Sequence, residues 1–389
     1  MKRIYMDHSA TTPVDPLVLD SMLPYFTEKF GNASSLHSFG QEAAEALAIA
    51  RQQVADSIGA EKNEIIFTSG GTESDNLAIR GILDKKNSDK GKNQHVITSA
   101  IEHPAVLNTC TFLESIGYDV TYVSVDSEGI LDVDELERSI RDDTSVISVM
   151  HANNEIGTIQ PIKEIASIAQ DNNICFHTDA VQSMGKIPVD VNELGVDMLS
   201  ISSHKIHGPK GVGVLYVREG TDLEPSIFGG GQEQTLRPGT ENIPGIVGLG
   251  KAAFLAKERL GHDPEYMNNL RDSLITKVFD SIEDVRLNGH PTQRLPNNVN
   301  LSFKYVEGES LLMLLDIKGI AASTASACSS KSKTSSHVLN AIGVDTEYIH
   351  GSVRLSLGRD NTTDEIDYVT QSLQETVAKL REMSAVSKC

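Results

Sequence analysis

The chain has no run of about eighteen apolar residues, the length a helix needs to cross a bilayer, so a membrane-spanning role is not expected. Its first residues, MKRIYMDHS, lack the apolar core of a secretory leader. Positive charge is in short supply: 34 Lys and Arg stand against 54 Asp and Glu, no basic block breaks the pattern, and the formal charge is −20. That balance argues against nucleic acid or an anionic membrane as the main partner. There is no internal repeat. Cysteine is scarce too, and Cys110, Cys175, Cys328 and Cys389 show no CxxC or other metal-ligand spacing. The expectation is a cytoplasmic protein whose cysteines are thiols.

What is present is enough apolar residue, 39% of 389 positions, for a large domain and a smaller one. Leu47, Ala50, Val54 and Ile58 recur at helical steps before Gly59. Residues 96–98, 105–116 and 120–125 then read strand, helix, strand, and residues 146–150, 162–170 and 174–177 repeat that order. Residues 85–94 read as a polar link. Such alternation predicts a mostly parallel sheet covered on both faces, with function collected at strand ends. Past about Lys257 a helix carrying Met267, Leu270, Leu274 and Val278 precedes strand signals at 299–303 and 353–357, and Thr362 with Glu365 makes a capping-box pattern for a last helix.

Three stretches carry chemistry together. The first is VDMLSISSHKIHGPKGVGVLYV from Val196, where an apolar run delivers Ser202, His204 and Lys205 to a strand end. A lysine there, taken alone, reads first as a solvated strand-end residue, and beside the next two stretches as an amine that desolvation makes reactive toward an aldehyde. The second is HTDAVQ, which sets Asp179 about one βαβ unit upstream, an acid suited to a pyridine nitrogen. The third is TSGGTESDN after Ile65, Ile66 and Phe67, a strand, small-residue turn and helix start that can cradle a phosphate through backbone amides and the Thr72 hydroxyl. In that order the three match the needs of pyridoxal phosphate (PLP).

From end to end the chain resembles the cysteine desulfurases of the nitrogen-fixation and iron-sulfur-assembly type, within the class V aminotransferases. The resemblance is carried by YMDHSATTP at Tyr5, FGNASSLHSFG at Phe30, AIEHPAV at Ala100, HANNEIGTIQP at His151, HTDAVQ, SSHKIHGPKG, GGGQEQTLRPGTEN at Gly229, SACSS at Ser326 and VRLSLGR at Val353. It implies an α/β protein of PLP fold type I, with a mostly parallel, seven-stranded-type sheet in a large domain (residues 16–257). A smaller α+β domain would comprise residues 1–15 and 258–389 and carry a cysteine loop at 322–336. Ser203 departs from the glycine of many relatives, and Gly71 from an alanine that is also common; all of these residues are small.

By this resemblance Lys205 binds the cofactor aldehyde, Asp179 pairs with its ring nitrogen, Gln182 bonds its phenolic oxygen, and His103 stacks on the ring and moves protons. Gly71, Thr72, Ser202 and His204 hold the phosphate, with Thr240 reaching across from a second subunit, so a homodimer is implied. Arg354 grips the α-carboxylate of L-cysteine, with Asn154 and Asn32 beside it, while Arg359 is structural. Other readings of single residues stand beside these: a helix-opening histidine at His103, a turn amide at Asn154, a turn residue at Thr240, an exposed strand arginine at Arg354.

Cys328 distinguishes desulfuration from amino transfer. It lies in ASTASACSSKSKTSS, a stretch with almost no large apolar residue, suited to a nucleophile that takes sulfur in a pocket and hands it to another protein. The implied product is alanine with a persulfide on Cys328, passed to an iron-sulfur scaffold or another acceptor; Cys328 is also a candidate transient cluster ligand. Competing readings are a selenocysteine lyase, another class V aminotransferase, or a sulfur-carrier or cluster-assembly scaffold without turnover.

Overall fold

Short apolar runs bounded by glycine and polar turns form the strands of a computed structural model that describes residues 3–90, 94–324 and 335–383, without the side chains of 87–90. The strands are β1 (Ile4–Tyr5), β2 (Ile65–Thr68), β3 (His95–Ser99), β4 (Asp119–Val123), β5 (Thr144–Ser148), β6 (Cys175–Asp179), β7 (Met198–Ser202), β8 (Gly213–Val217), β9 (Val285–Leu287), β10 (Asn298–Phe303), β11 (Ile320–Ala321) and β12 (Ser352–Ser356). Seven of them form one sheet in the order β2-β8-β7-β6-β5-β3-β4. Only β8 runs against its neighbours β2 and β7 in that sheet. Every residue of β3, β5, β7 and β8 is buried, because helices cover both faces.

A second, antiparallel sheet, β12-β10-β9, shares an apolar cluster with the helices Asp263–Ser281, Gly308–Ile317 and Thr363–Met383. The capping box is present: Thr362 Oγ1 accepts from the Glu365 amide and Glu365 Oε2 from the Thr362 amide, each at 3.3 Å. The N-terminal residues join the two sheets. β1 pairs in parallel with β11, and the chain then passes the end of β7, where the Thr12 amide donates to the His204 carbonyl at 2.9 Å.

Some boundaries differ from those expected. The polar stretch from residue 85 continues the helix Gly71–Lys90 instead of linking two elements, since a polar composition argues against burial and not against helicity. β5 begins two residues before the apolar run at Val146, so Val149 and Met150 belong to the loop beyond it. Asp179 is the last residue of β6, at a strand end as expected.

Candidate active site

The ends of β6 and β7 bring Asp179 and Lys205 to one place. Asp179 is buried, and its Oδ1 accepts from the Val181 amide at 2.8 Å. Burial lifts its carboxyl to about 6, against the pull of that amide and of the Lys205 charge. Beyond β7 a single tight turn, Ser203–Lys205, aims the lysine at the N-terminal segment. Lys205 Nζ donates to the carbonyls of Ser9 at 2.5 Å and Ala10 at 2.8 Å. Gln182 Nε2 donates to the same Ser9 carbonyl at 2.9 Å, while its Oε1 is buried without a partner among the described residues.

The glycine turn after β2 seats the helix Gly71–Lys90 directly on this group. A Cβ at Gly71 would lie 2.8 Å from Val181 Cγ2 and 3.8 Å from Ser202 Cβ. Glycine therefore permits the helix start, with its outward amides, to approach the ends of both strands. Thr72 is exposed at that start and Ser202 is buried. His204 Nδ1 lies 3.1 Å from Thr11 Oγ1, and burial, then the Lys205 charge, brings its imidazole down to about 4.

His103 caps the helix Pro104–Ser115, its Nδ1 accepting from the Ala105 amide at 3.1 Å. That bond leaves the ring proton on Nε2. Burial lowers the imidazole to about 4, helped by the charges of Lys205 and His337, so the ring is neutral at pH 7. On β12, the buried Arg354 donates from Nη1 to the Asn154 carbonyl and from Nη2 to Asp7 Oδ1, both at 2.9 Å, leaving Nε without a partner among the described residues.

The fold does not bring every expected residue to this group. Asn32 is exposed and closes its own turn, its Oδ1 accepting from the Ser34 amide at 2.9 Å. Thr240 is exposed. Cys328, with its expected roles as sulfur nucleophile and cluster ligand, lies outside the described residues, as does Cys389. The described ends of its stretch meet the site: Ser323 exchanges backbone hydrogen bonds with Arg354 at 2.7 and 3.1 Å, and Ser336 Oγ donates to Glu155 Oε2 at 2.5 Å. Among the described residues no group of three or more His, Cys, Asp or Glu could hold a metal, and no helix is long and apolar enough to cross a membrane.

The residue-by-residue reading missed a buried acidic layer beneath Asp179. Asp75 lies 3.6 Å from His177 Nε2, and His177 bridges Ser148 and Ser200 at 2.9 Å each. Burial first, then the charge of Asp179, drives Asp75 upward. Burial also raises Glu102 to about 8, against bonds from Ser99 and the Met150 amide. The motifs TSGGTESDN and AIEHPAV contain both acids, but nothing local signals that they are buried.

Comparison with known proteins agrees with this geometry. The family model for class V aminotransferases matches residues 4–369. The chain is 57% identical to a protein named cysteine desulfurase IscS from Methanosarcina thermophila, over 99% of this chain and 95% of that one. A protein of the same name from Dictyoglomus turgidum is 53% identical over 99% and 97%. Among solved structures, a NifS-like protein superposes with a TM-score of 0.91 at 40% identity, covering 97% of this chain and all of that one. SspA in complex with cysteine gives 0.81 at 40% identity over 93% and 100%. The mostly parallel sheet with its smaller α+β part is the fold type I architecture of such proteins. By fold, by family model and by identity along nearly its whole length, the chain belongs to the class V aminotransferase family, on its cysteine desulfurase branch.

Proposed function

We propose that this chain is a PLP-dependent cysteine desulfurase that takes the sulfur of L-cysteine onto Cys328 and releases L-alanine. The observation that carries the reading is that Gln182 shares the Ser9 carbonyl with Lys205 while Asp179 and His103 both feel the Lys205 charge, in a chain 57% identical to a protein named cysteine desulfurase. The residues fit the cofactor: Gln182 Oε1 is a buried acceptor with no partner among the described residues, and Gly71 leaves the helix start open where a Cβ would crowd Val181. When bound, the cofactor supplies an electron sink for the substrate's Cα.

Lys205 would hold the cofactor aldehyde, and its free amine would accept the Cα proton. Asp179 would keep the ring nitrogen charged, and Gly71, Thr72, Ser202 and His204 would hold the phosphate, with Thr240 of a second copy completing the cradle in a homodimer. Arg354 has Nε left to bind the substrate carboxylate near Asn154, and Asn32 is a further contact. Neutral His103 presents Nε2–H as a donor beside Lys205. The Cys328 thiolate attacks the substrate sulfur; an S–S bond forms, the C–S bond breaks with its electron pair going to carbon, and a proton completes alanine. The persulfide then passes to an iron-sulfur scaffold or another acceptor in the reducing cytoplasm.

The test is direct. Borohydride should fix the cofactor to Lys205, and Cys328→Ser should keep the cofactor absorbance while yielding neither alanine nor sulfide from cysteine. Full turnover in that variant would sink the reading.

A further inference from the structure

β10 alternates polar and apolar residues, yet every one of them is buried. Val299, Leu301 and Phe303 enter the apolar cluster of the smaller sheet, which puts Asn298, Asn300 and Ser302 on the opposite face. A side-chain amide is costly to bury unless it is bonded, and an aliphatic residue would fill the same strand position without that demand. What the asparagines touch accounts for them. Asn300 Nδ2 donates to the Glu155 carbonyl at 3.0 Å, and Asn298 Nδ2 reaches the same oxygen at 3.3 Å.

Asn300 is also the direct cross-strand partner of Arg354 on β12. Opposite residues of an antiparallel pair project from one face, and these two grip consecutive carbonyls of a single loop: Arg354 Nη1 that of Asn154 at 2.9 Å, Asn300 Nδ2 that of Glu155. The clamp continues along the loop. Arg294 Nη2 donates to the Ile156 carbonyl and the Leu295 amide to the Gly157 carbonyl, both at 2.8 Å. Asn300 is oriented in its turn, since Asn288 Nδ2 donates to its Oδ1 at 2.8 Å and so keeps its Nδ2 toward the loop.

We propose that Asn300 is a positioning residue for Arg354: by holding the Glu155 carbonyl it fixes the adjacent Asn154 carbonyl on which the guanidinium rests, and so sets the plane of the fork that meets the substrate carboxylate. Without it the Asn154–Glu155 peptide is free to turn, and the guanidinium follows its acceptor out of line. This rests on the reading of Arg354 as the residue that binds the carboxylate of L-cysteine.

The experiment compares kcat, KM for L-cysteine and thermal unfolding in wild type, Asn300→Ala, Arg354→Lys and the double variant, all as holoenzymes. Asn300→Ala should raise KM about tenfold with kcat within about twofold of wild type, because it loosens a grip shared by bound substrate and transition state. In the Arg354→Lys background the same change should raise KM by less than about twofold more, since the fork it serves is already gone. Effects that multiply in the double variant would assign Asn300 to packing alone and overturn the proposal. So would an Asn300→Ala protein that unfolds earlier but keeps the wild-type KM. Asn288→Ala, which leaves Asn300 in place and removes the amide that orients it, should also raise KM; it serves alone should Asn300→Ala fail to fold, and a wild-type KM would then overturn the proposal. An unchanged KM in Arg354→Lys would instead remove the underlying reading of Arg354.

Discussion

The guanidinium of Arg354 meets the backbone carbonyl of Asn154 at 2.9 Å, across 200 positions of sequence. Asp7 occupies a second donor of the same fork, so the arginine is fixed by the protein before any substrate arrives.

Arg354→Lys should therefore lose a geometry and not a charge. A lysine cannot bond Asn154, Asp7 and a carboxylate in one plane, and KM for cysteine should rise about 10–100-fold with the cofactor absorbance retained. Steady-state kinetics beside an absorbance spectrum would check this, and an unchanged KM would remove Arg354 from the carboxylate site.

Glu102 gives a pH prediction. Its folded pKa, about 8, lies above the unfolded value of 4.5, so its stabilising contribution is full below 4.5 and is lost as pH rises toward 8. Glu102→Gln should flatten the fall of Tm between pH 5 and pH 8 by several degrees, about 2–8 °C at the alkaline end. Parallel melting curves for the two proteins would contradict the assignment.

Asp179→Asn keeps an acceptor for the Val181 amide and removes the charge. Turnover should fall at least about 100-fold, and dialysis should strip cofactor faster, while the apoprotein melts near the wild-type temperature. Cofactor retention and kcat measured on one preparation would test both halves.

Thr362→Ala deletes one bond of the capping box at the helix Thr363–Met383. It should cost about 0.5–1 kcal/mol, seen as a Tm lowered by a few degrees with kcat unaffected. A loss of activity at constant stability would mean that this helix does more than cover the small sheet.

That capping box could be read directly, because the two residues that make it are three positions apart. The same holds for the glycine turn after β2 and for the strand that delivers Lys205. Other relationships had no local trace. The acceptors for Lys205 are backbone carbonyls 196 and 195 residues away, and no side-chain identity announces a carbonyl. The reversed direction of β8 and the burial of Asp75 against His177 depend on pairings between distant segments, which apolar spacing does not encode.

The short β1–β11 pairing sets an order of events in biosynthesis. Residues 4–12 emerge from the ribosome first, yet their partners are Ile320, Ser356 and the end of β7. A growing polypeptide can fold its large sheet with the lysine pocket still uncovered, and the leading segment can seat itself only once translation has passed residue 356. Premature termination before that point would leave a polypeptide able to build most of the cradle but unable to close it.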